Sequence, residues 1–259
     1  MDASIRTVLS RILSTIPENV IGAYLYGSST TTGLSVGSDI DLLVVTGRSL
    51  TSQERTSLTK VLLAISGWEG HARQFPDAAH RRPWDVTCVV AAESDPLQPA
   101  PWRDYQYGEW LRSEFVVGAV PRPQRDPDVV ILLATALTSH RVLYGPPLNE
   151  VIDDVPAAQL RQAQLAVLPA LIDGLRGDER NVLLTLARAY CTVQSGDVVP
   201  KPVAAEIAAQ LVNDETADVL HLAAREYRGE VRVDWDREHD RVSRASGAML
   251  DLIRQAADR

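Results

Sequence analysis

The sequence predicts an α+β protein: a mixed sheet with helices packed on it, followed by an all-helical bundle. Three observations lead there. Helix-period and strand-period segments alternate over the first part of the chain, the run Pro121-Arg-Pro123 interrupts it, and from Asp128 onward almost every segment has helical period. The division implied is a sheet domain at 1–125 and a helical domain at 126–259.

Ile5, Val8, Leu9, Ile12, Leu13 and Ile16 recur at helical spacing and predict an amphipathic helix that ends before Pro17. Val20 to Tyr26, β-branched and aromatic, reads as a strand stopped by Gly27-Ser28. A polar stretch leads to a second strand, Asp39 to Val45. Thr51-Ser-Gln-Glu54 is a capping box that opens a helix carrying Leu58, Val61, Leu62 and Ile65. A loop with Gly67, Gly70, Pro76 and Pro83 precedes a third strand, Trp84 to Ala91. Val129–His140, Ala157–Leu175, Glu179–Val193, Val203–Leu211, Ala217–Arg228 and Glu238–Ala257 then read as helices with short connections, the pattern of a bundle.

The 259 residues are 45% apolar, enough for a sizeable core, which excludes a disordered or fibrous chain. With 26 Lys plus Arg against 34 Asp plus Glu, the net charge of −8 lacks the basic footprint of a nucleic-acid binder. Cys88 and Cys191 lie in apolar runs and build no disulfide framework, pointing to a reduced compartment; the cytoplasm is expected. The longest apolar stretch, Val129 to Leu137, falls far short of the ~20 residues a membrane span needs, and no signal peptide is read. The five histidines show no metal-ligand spacing, so no zinc site is expected.

Ser38-Asp39-Ile40-Asp41-Leu42-Leu43-Val44-Val45 is the most informative segment. Strand side chains alternate faces, so Asp39 and Asp41 share one side and repel unless a cation lies between them. Mg²⁺, which takes carboxylate oxygens and keeps positions open for phosphate, fits that role. For Asp-x-Asp in isolation, two surface carboxylates at a solvated strand start is the plainer reading. Gly27 and Ser28, after the preceding strand, suit close approach of an anion to backbone and hydroxyl, though alone they are an ordinary turn. Asp85 interrupts an apolar strand, where an unpaired acid is expensive, unless it is simply a strand-edge acid after Pro83. If its strand neighbours Asp39–Val45, three carboxylates converge as two-metal nucleotidyl or phosphoryl transfer requires.

With these residues in place, the front of the chain resembles the nucleotidyltransferase superfamily related to DNA polymerase β. More narrowly, the chain resembles the streptomycin/spectinomycin adenylyltransferases, bacterial aminoglycoside-resistance enzymes, over nearly its whole length. The anchors are Leu25-Tyr-Gly-Ser28, Ser38 to Val44, Tyr107-Gly-Glu-Trp110, Gly177-Asp-Glu-Arg-Asn181 with the Leu-Thr-Leu that follows, and Pro200-Lys201. The resemblance implies a nucleotidyltransferase catalytic domain at 1–125 and a helical domain completing the ATP and aminoglycoside sites. It implies Gly27, Ser28, Ser38, Arg188, Lys201 and Tyr227 at ATP, and Asp39, Asp41 and Asp85 at Mg²⁺, two ions in all. The family's third acid, usually a glutamate serving as ligand and base, falls on Asp85, one methylene shorter.

Trp110, Asp178 and Asn181 are implied at the aminoglycoside. Trp110 suits ring stacking, Asp178 a cationic drug, and Lys201, before Pro202 at a helix start, a phosphate. Without the resemblance, Arg188 reads as a solvated helix residue, Tyr227 as a packing aromatic and Trp110 as an interface plug. Members that also modify streptomycin carry a Trp and, five residues on, an Asp before Gly-Asp-Glu-Arg. A gap-free count puts Pro169 and Gly174 there, with Asp173 one residue away, so spectinomycin is expected to be the better acceptor of the two drugs.

The function implied is AMP transfer from MgATP to a hydroxyl of spectinomycin, with streptomycin as a second candidate acceptor, releasing pyrophosphate and conferring resistance, by a monomer without nucleic-acid or membrane partners. Its rivals are a nucleotidyltransferase-fold protein that modifies a macromolecule, as in toxin–antitoxin systems, and a catalytically silent binding module.

Overall fold

The computed structural model describes residues 3–31 and 39–258. In chain order come α1 (Ala3–Thr15), β1 (Val20–Tyr26), the single turn α2 (Ser28–Thr31), β2 (Ile40–Thr46), α3 (Ser52–Ile65) and β3 (Trp84–Val90). The short pieces β4 (Trp102–Arg103), β5 (Tyr105–Tyr107), α4 (Arg112–Val116) and β6 (Gln124–Arg125) follow, then α5 (Asp128–Thr138) and β7 (His140–Tyr144). Five helices end the chain: α6 (Ala157–Asp173), α7 (Glu179–Ser195), α8 (Lys201–Ala209), α9 (Asp214–Tyr227) and α10 (Trp235–Ala257).

The main sheet has the order β5-β3-β2-β1-β7. β2 and β3 run parallel, with Asp41 beside Asp85, and the other neighbours are antiparallel. A parallel pair needs a crossover, and α3 supplies it. The helix starts where the sequence places it: the Thr51 side chain accepts from the Glu54 amide at 3.2 Å, and Glu54 accepts from the Thr51 amide at 2.7 Å.

Alternation along the strands gives the sheet two apolar faces. Leu42, Val44, Val86 and Cys88 pack against Ile5 and Ile12 of α1 and Leu58 and Leu62 of α3. On the opposite face, Tyr24, Tyr26, Leu43, Val45 and Val89 meet Val129, Leu132, Leu133 and Ala136 of α5. The other side of α5, Val130, Ile131 and Ala134, meets Leu160 and Ala163 of α6. A helix covered on both sides is apolar all round, and α5 is that helix.

The sheet layer therefore does not end at residue 125. α5 closes one face, and β7 adds the edge strand beside β1, where sequence reading has only the end of a bundle helix. Pro121-Arg-Pro123 is a surface connection inside the layer, tied back where Trp102 pairs with Arg125. The helical layer is centred on α7, whose Val182, Leu183, Leu186 and Ala187 pack against Ala204 and Ala208 of α8, Val219 and Leu220 of α9, and Met249 and Ile253 of α10. Cys88 and Cys191 are free and buried.

Candidate active site

Asp39, Asp41 and Asp85 stand at the amino ends of β2 and β3. Asp41 and Asp85 are register partners on parallel strands, so their side chains share a face, the one α5 covers further along. Burial and then Asp39 push the Asp41 carboxyl up to about 7 from 3.8, against the opposing pull of Lys201 and Arg188. Asp85 is raised well above the usual carboxylate range by burial, then by Asp41 and Asp39. Its Oδ1 is buried with no hydrogen-bond partner. Asp39 is raised by burial too, opposed by Lys201 and Arg180. Such a group favours a hard cation: its donors are oxygens, its charge is only partly compensated, and one buried oxygen lacks a partner. Among the described residues, no three His, Cys, Asp or Glu side chains form a metal-holding group by themselves. The three acids are neighbours rather than a closed ligand cage.

Gly27 follows β1 with φ +69, a conformation that favours glycine. Space demands it as well, because a Cβ there would lie 2.2 Å from Asp41 Oδ2. Ser28 opens α2 and hydrogen-bonds Tyr227 at the end of α9, joining two of the residues expected at ATP across the two layers. Ser38 lies outside the described residues.

The helical layer supplies the opposing charge. Arg188, half-buried in α7, faces Asp128, Asp41, Tyr227 and Tyr26; burial lowers its pKa, and these neighbours support its charge. Burial and the nearby Arg188 cation bring Lys201, the first residue of α8, down to about 8, while Asp41, Asp178 and Asp39 hold its charge. Lys201 Nζ donates to Asn181 Oδ1, and Asn181 Nδ2 donates to Asp178 Oδ2 at 3.0 Å. Asp178 itself, just before α7, is exposed. This chain links residues expected at the acceptor to one expected at the triphosphate. Trp110 projects from the sheet layer 54% exposed, next to the buried Glu109, so it does not plug the core.

Four further residues border this group. Arg180 acts on Asp39 and Tyr227, and its place in the Gly177–Asn181 run was a usable signal. Asp128 opens α5 near Asp85, Tyr26 and Arg188, and Arg103, paired with Asp126 at 2.7 Å, lowers the Asp85 pKa. Tyr26 is within reach of the sequence, as part of the Leu25–Ser28 run and the register partner of Asp41 on β1, but no local pattern marks Asp128 or Arg103, since only the packing of α5 and β4 brings them here. The arrangement sets acids from the sheet against cations from the helices, with hydroxyls between, which suits a polyanion accompanied by a divalent cation.

Comparison with known proteins finds relatives over most of the chain. Residues 150–251 match "Aminoglycoside adenylyltransferase, C-terminal domain". A spectinomycin 9-adenylyltransferase of Staphylococcus aureus is 41% identical over 225 residues, 87% of this chain and 84% of that protein. An aminoglycoside (3'') (9) adenylyltransferase of Escherichia coli is 30% identical over 257 residues, 97% of this chain and 93% of that one. The crystal structure of the spectinomycin adenyltransferase AAD(9) from Enterococcus faecalis with ATP and spectinomycin superposes with a TM-score of 0.89 at 28% identity, covering 97% of this chain and 98% of that one. With this identity over most of both chains and a shared two-layer fold, the chain belongs to the aminoglycoside adenylyltransferase family.

Proposed function

We propose that this chain transfers AMP from MgATP to a hydroxyl of spectinomycin, releases pyrophosphate and so confers resistance to the drug. The observation that carries the reading is the opposition of the Asp41–Asp85 pair on the sheet to Arg188 and Lys201 on the helices. Lys201 and Arg188 bind the triphosphate. The Ser28 and Tyr227 hydroxyls, the Gly27 backbone and Ser38 complete its cradle. Asp39, Asp41 and Asp85 hold Mg²⁺, as two ions. When bound, Mg²⁺ neutralises phosphate charge and activates the α-phosphorus as a Lewis acid. Asp85, with its unpartnered oxygen, accepts the proton of the attacking hydroxyl. Trp110 stacks on the acceptor, and Asp178 and Asn181 bind its polar groups. Closure between the layers excludes water and limits loss of ATP to hydrolysis.

Spectinomycin is preferred over streptomycin on this reading. Pro169 lies inside α6 and Gly174 caps it, and neither side chain can stack on or pair with a guanidinium-bearing ring. The spectinomycin enzyme of Staphylococcus aureus is also nearer in sequence, at 41%, than the Escherichia coli enzyme, at 30%. Specificity constants for the two drugs check this preference; an equal or higher value with streptomycin would remove it.

The reading carries with it a cytoplasmic monomer with no nucleic-acid partner. Among the described residues, no helix is long and apolar enough to cross a membrane. The test is to incubate the protein with α-labelled ATP, Mg²⁺, spectinomycin, streptomycin, RNA and a protein mixture. Label on spectinomycin is expected. Label on RNA or protein, or no transfer at all, would overturn the proposal.

A further inference from the structure

The segment from Tyr107 to Trp110 turns sharply from buried to exposed. Tyr107 is 0% exposed and Glu109 4%, while Trp110 is 54% exposed. Gly108 between them has φ −149 and ψ 156, extended backbone open to any residue. Its conformation therefore does not call for glycine. Space does: a Cβ at 108 would sit 2.2 Å from Cη2 and Cζ3 of the Trp110 indole and 2.6 Å from Cε3. The six-membered ring is folded back over the bare Cα of Gly108.

We propose that Gly108 is a positioning residue for the acceptor: it seats the Trp110 ring, so that a half-exposed indole is held in one orientation before the drug arrives. The inference rests on Trp110 being an acceptor contact, as proposed above. An exposed aromatic without a seat samples several rotamers and loses that freedom on binding, whereas a seated one is preorganised. The backbone on either side is fixed independently of the ring. Glu109 accepts from Arg112 Nε at 2.6 Å and from the Tyr107 hydroxyl at 3.0 Å, and Arg112 Nη2 donates to the Ser66 carbonyl at 2.7 Å. Tyr107 stacks on Phe115 with ring centroids 5.3 Å apart. The atoms an alanine Cβ would strike belong to the far end of the indole, not to the backbone. The ring moves, and the turn stays.

The experiment is steady-state kinetics with spectinomycin and MgATP on the full chain, comparing wild type, Gly108→Ala, Trp110→Ala and the double variant. Gly108→Ala is expected to raise the KM for spectinomycin about tenfold, the scale of one lost side-chain preorganisation. The KM for ATP and the melting temperature should stay near wild type. In the Trp110→Ala background, Gly108→Ala should add nothing, because the ring it displaces is gone. An unchanged spectinomycin KM in Gly108→Ala, an equal increment in both backgrounds, or unfolding of Gly108→Ala overturns the proposal. A Trp110→Ala variant with unaltered spectinomycin KM removes Trp110 as an acceptor contact, and this proposal with it, while leaving adenylyl transfer standing.

Discussion

Glu109 and Asp41 are two acids of the same sheet layer that burial treats alike and their neighbours treat oppositely. For Glu109, burial works against the charge, but hydrogen bonds from Arg112, Ser66 and Tyr107 outweigh it and hold the carboxyl below the usual range. For Asp41, burial and Asp39 act together, Lys201 and Arg188 only partly offset them, and the group rises to about 7. Asp104 belongs with Glu109: Arg55 Nη2 meets its Oδ1 at 2.6 Å, and the Leu50 amide donates to its Oδ2 at 3.0 Å. The fold thus contains what it needs to satisfy a buried acid and uses it at 104 and 109. At 39, 41 and 85 the compensation is left incomplete. Satisfied acids hold the structure together; the unsatisfied ones, under the proposed function, receive a cation and a phosphate.

Exchanging the two kinds gives the largest expected effects. Asp85→Asn should lower transfer by more than about 10²-fold, since a base and a ligand are lost together. Its melting temperature should hold, because the substitution removes repulsion rather than a partner. A loss under tenfold in the labelled-ATP assay would assign Asp85 to structure. Asp104→Ala should do the reverse, leaving Arg55 buried without its partner and costing about 3–5 kcal/mol by denaturant titration. The folded fraction should keep its specific activity, and a stable but inactive variant would break the comparison.

A smaller effect separates the two kinds by pH. The Asp41 carboxyl is raised in the folded state, from 3.8 to about 7, so the folded protein binds the extra proton between those values. Its contribution to stability is present at low pH and is lost as pH rises through about 7. Glu109 is lowered, so its contribution is lost as pH falls below its unfolded value. The apo melting temperature should therefore decline from about pH 5 to pH 8, and Asp41→Asn should flatten that decline. A wild-type curve that rises over this interval would contradict the assignment. The smallest effect is expected for a compensated acid at the surface. Glu54 is lowered to about 2 by its Arg48 hydrogen bonds. Glu54→Gln keeps a capping side chain but loses the ion pair, and should cost under about 1 kcal/mol in the same titration.

Much of this contrast was legible in the sequence, and the reasons are local. The Thr51 capping box acts within a few residues, so pattern alone exposes it, whereas Asp39-x-Asp41 and Gly27-Ser28 are each ambiguous alone and point to a site only when taken together and with the family resemblance. The parallel pairing that sets Asp85 beside Asp41 is not legible in the sequence, because register between strands separated by a helix is a tertiary fact. β7 was missed for a physical reason: His140–Tyr144 is a short, mostly exposed edge strand directly after a helix, with neither a clean alternation nor a turn signal before it. The sequence reads α5 as a bundle helix because a helix apolar on every side looks the same whether one layer covers it or two. Arg103 and Asp128 reach the site through packing that no spacing reveals.

The central claim, that the fold leaves Asp41 incompletely compensated for the sake of a cation and its phosphates, is tested most directly by thermal denaturation of wild type and Asp41→Asn, each with and without MgATP. The apo variant should melt at or above wild type, because repulsion has been removed, and MgATP should raise the wild-type midpoint far more than that of the variant. An apo variant that melts below wild type yet is stabilised equally by MgATP would show that Asp41 serves the fold and not the ligand.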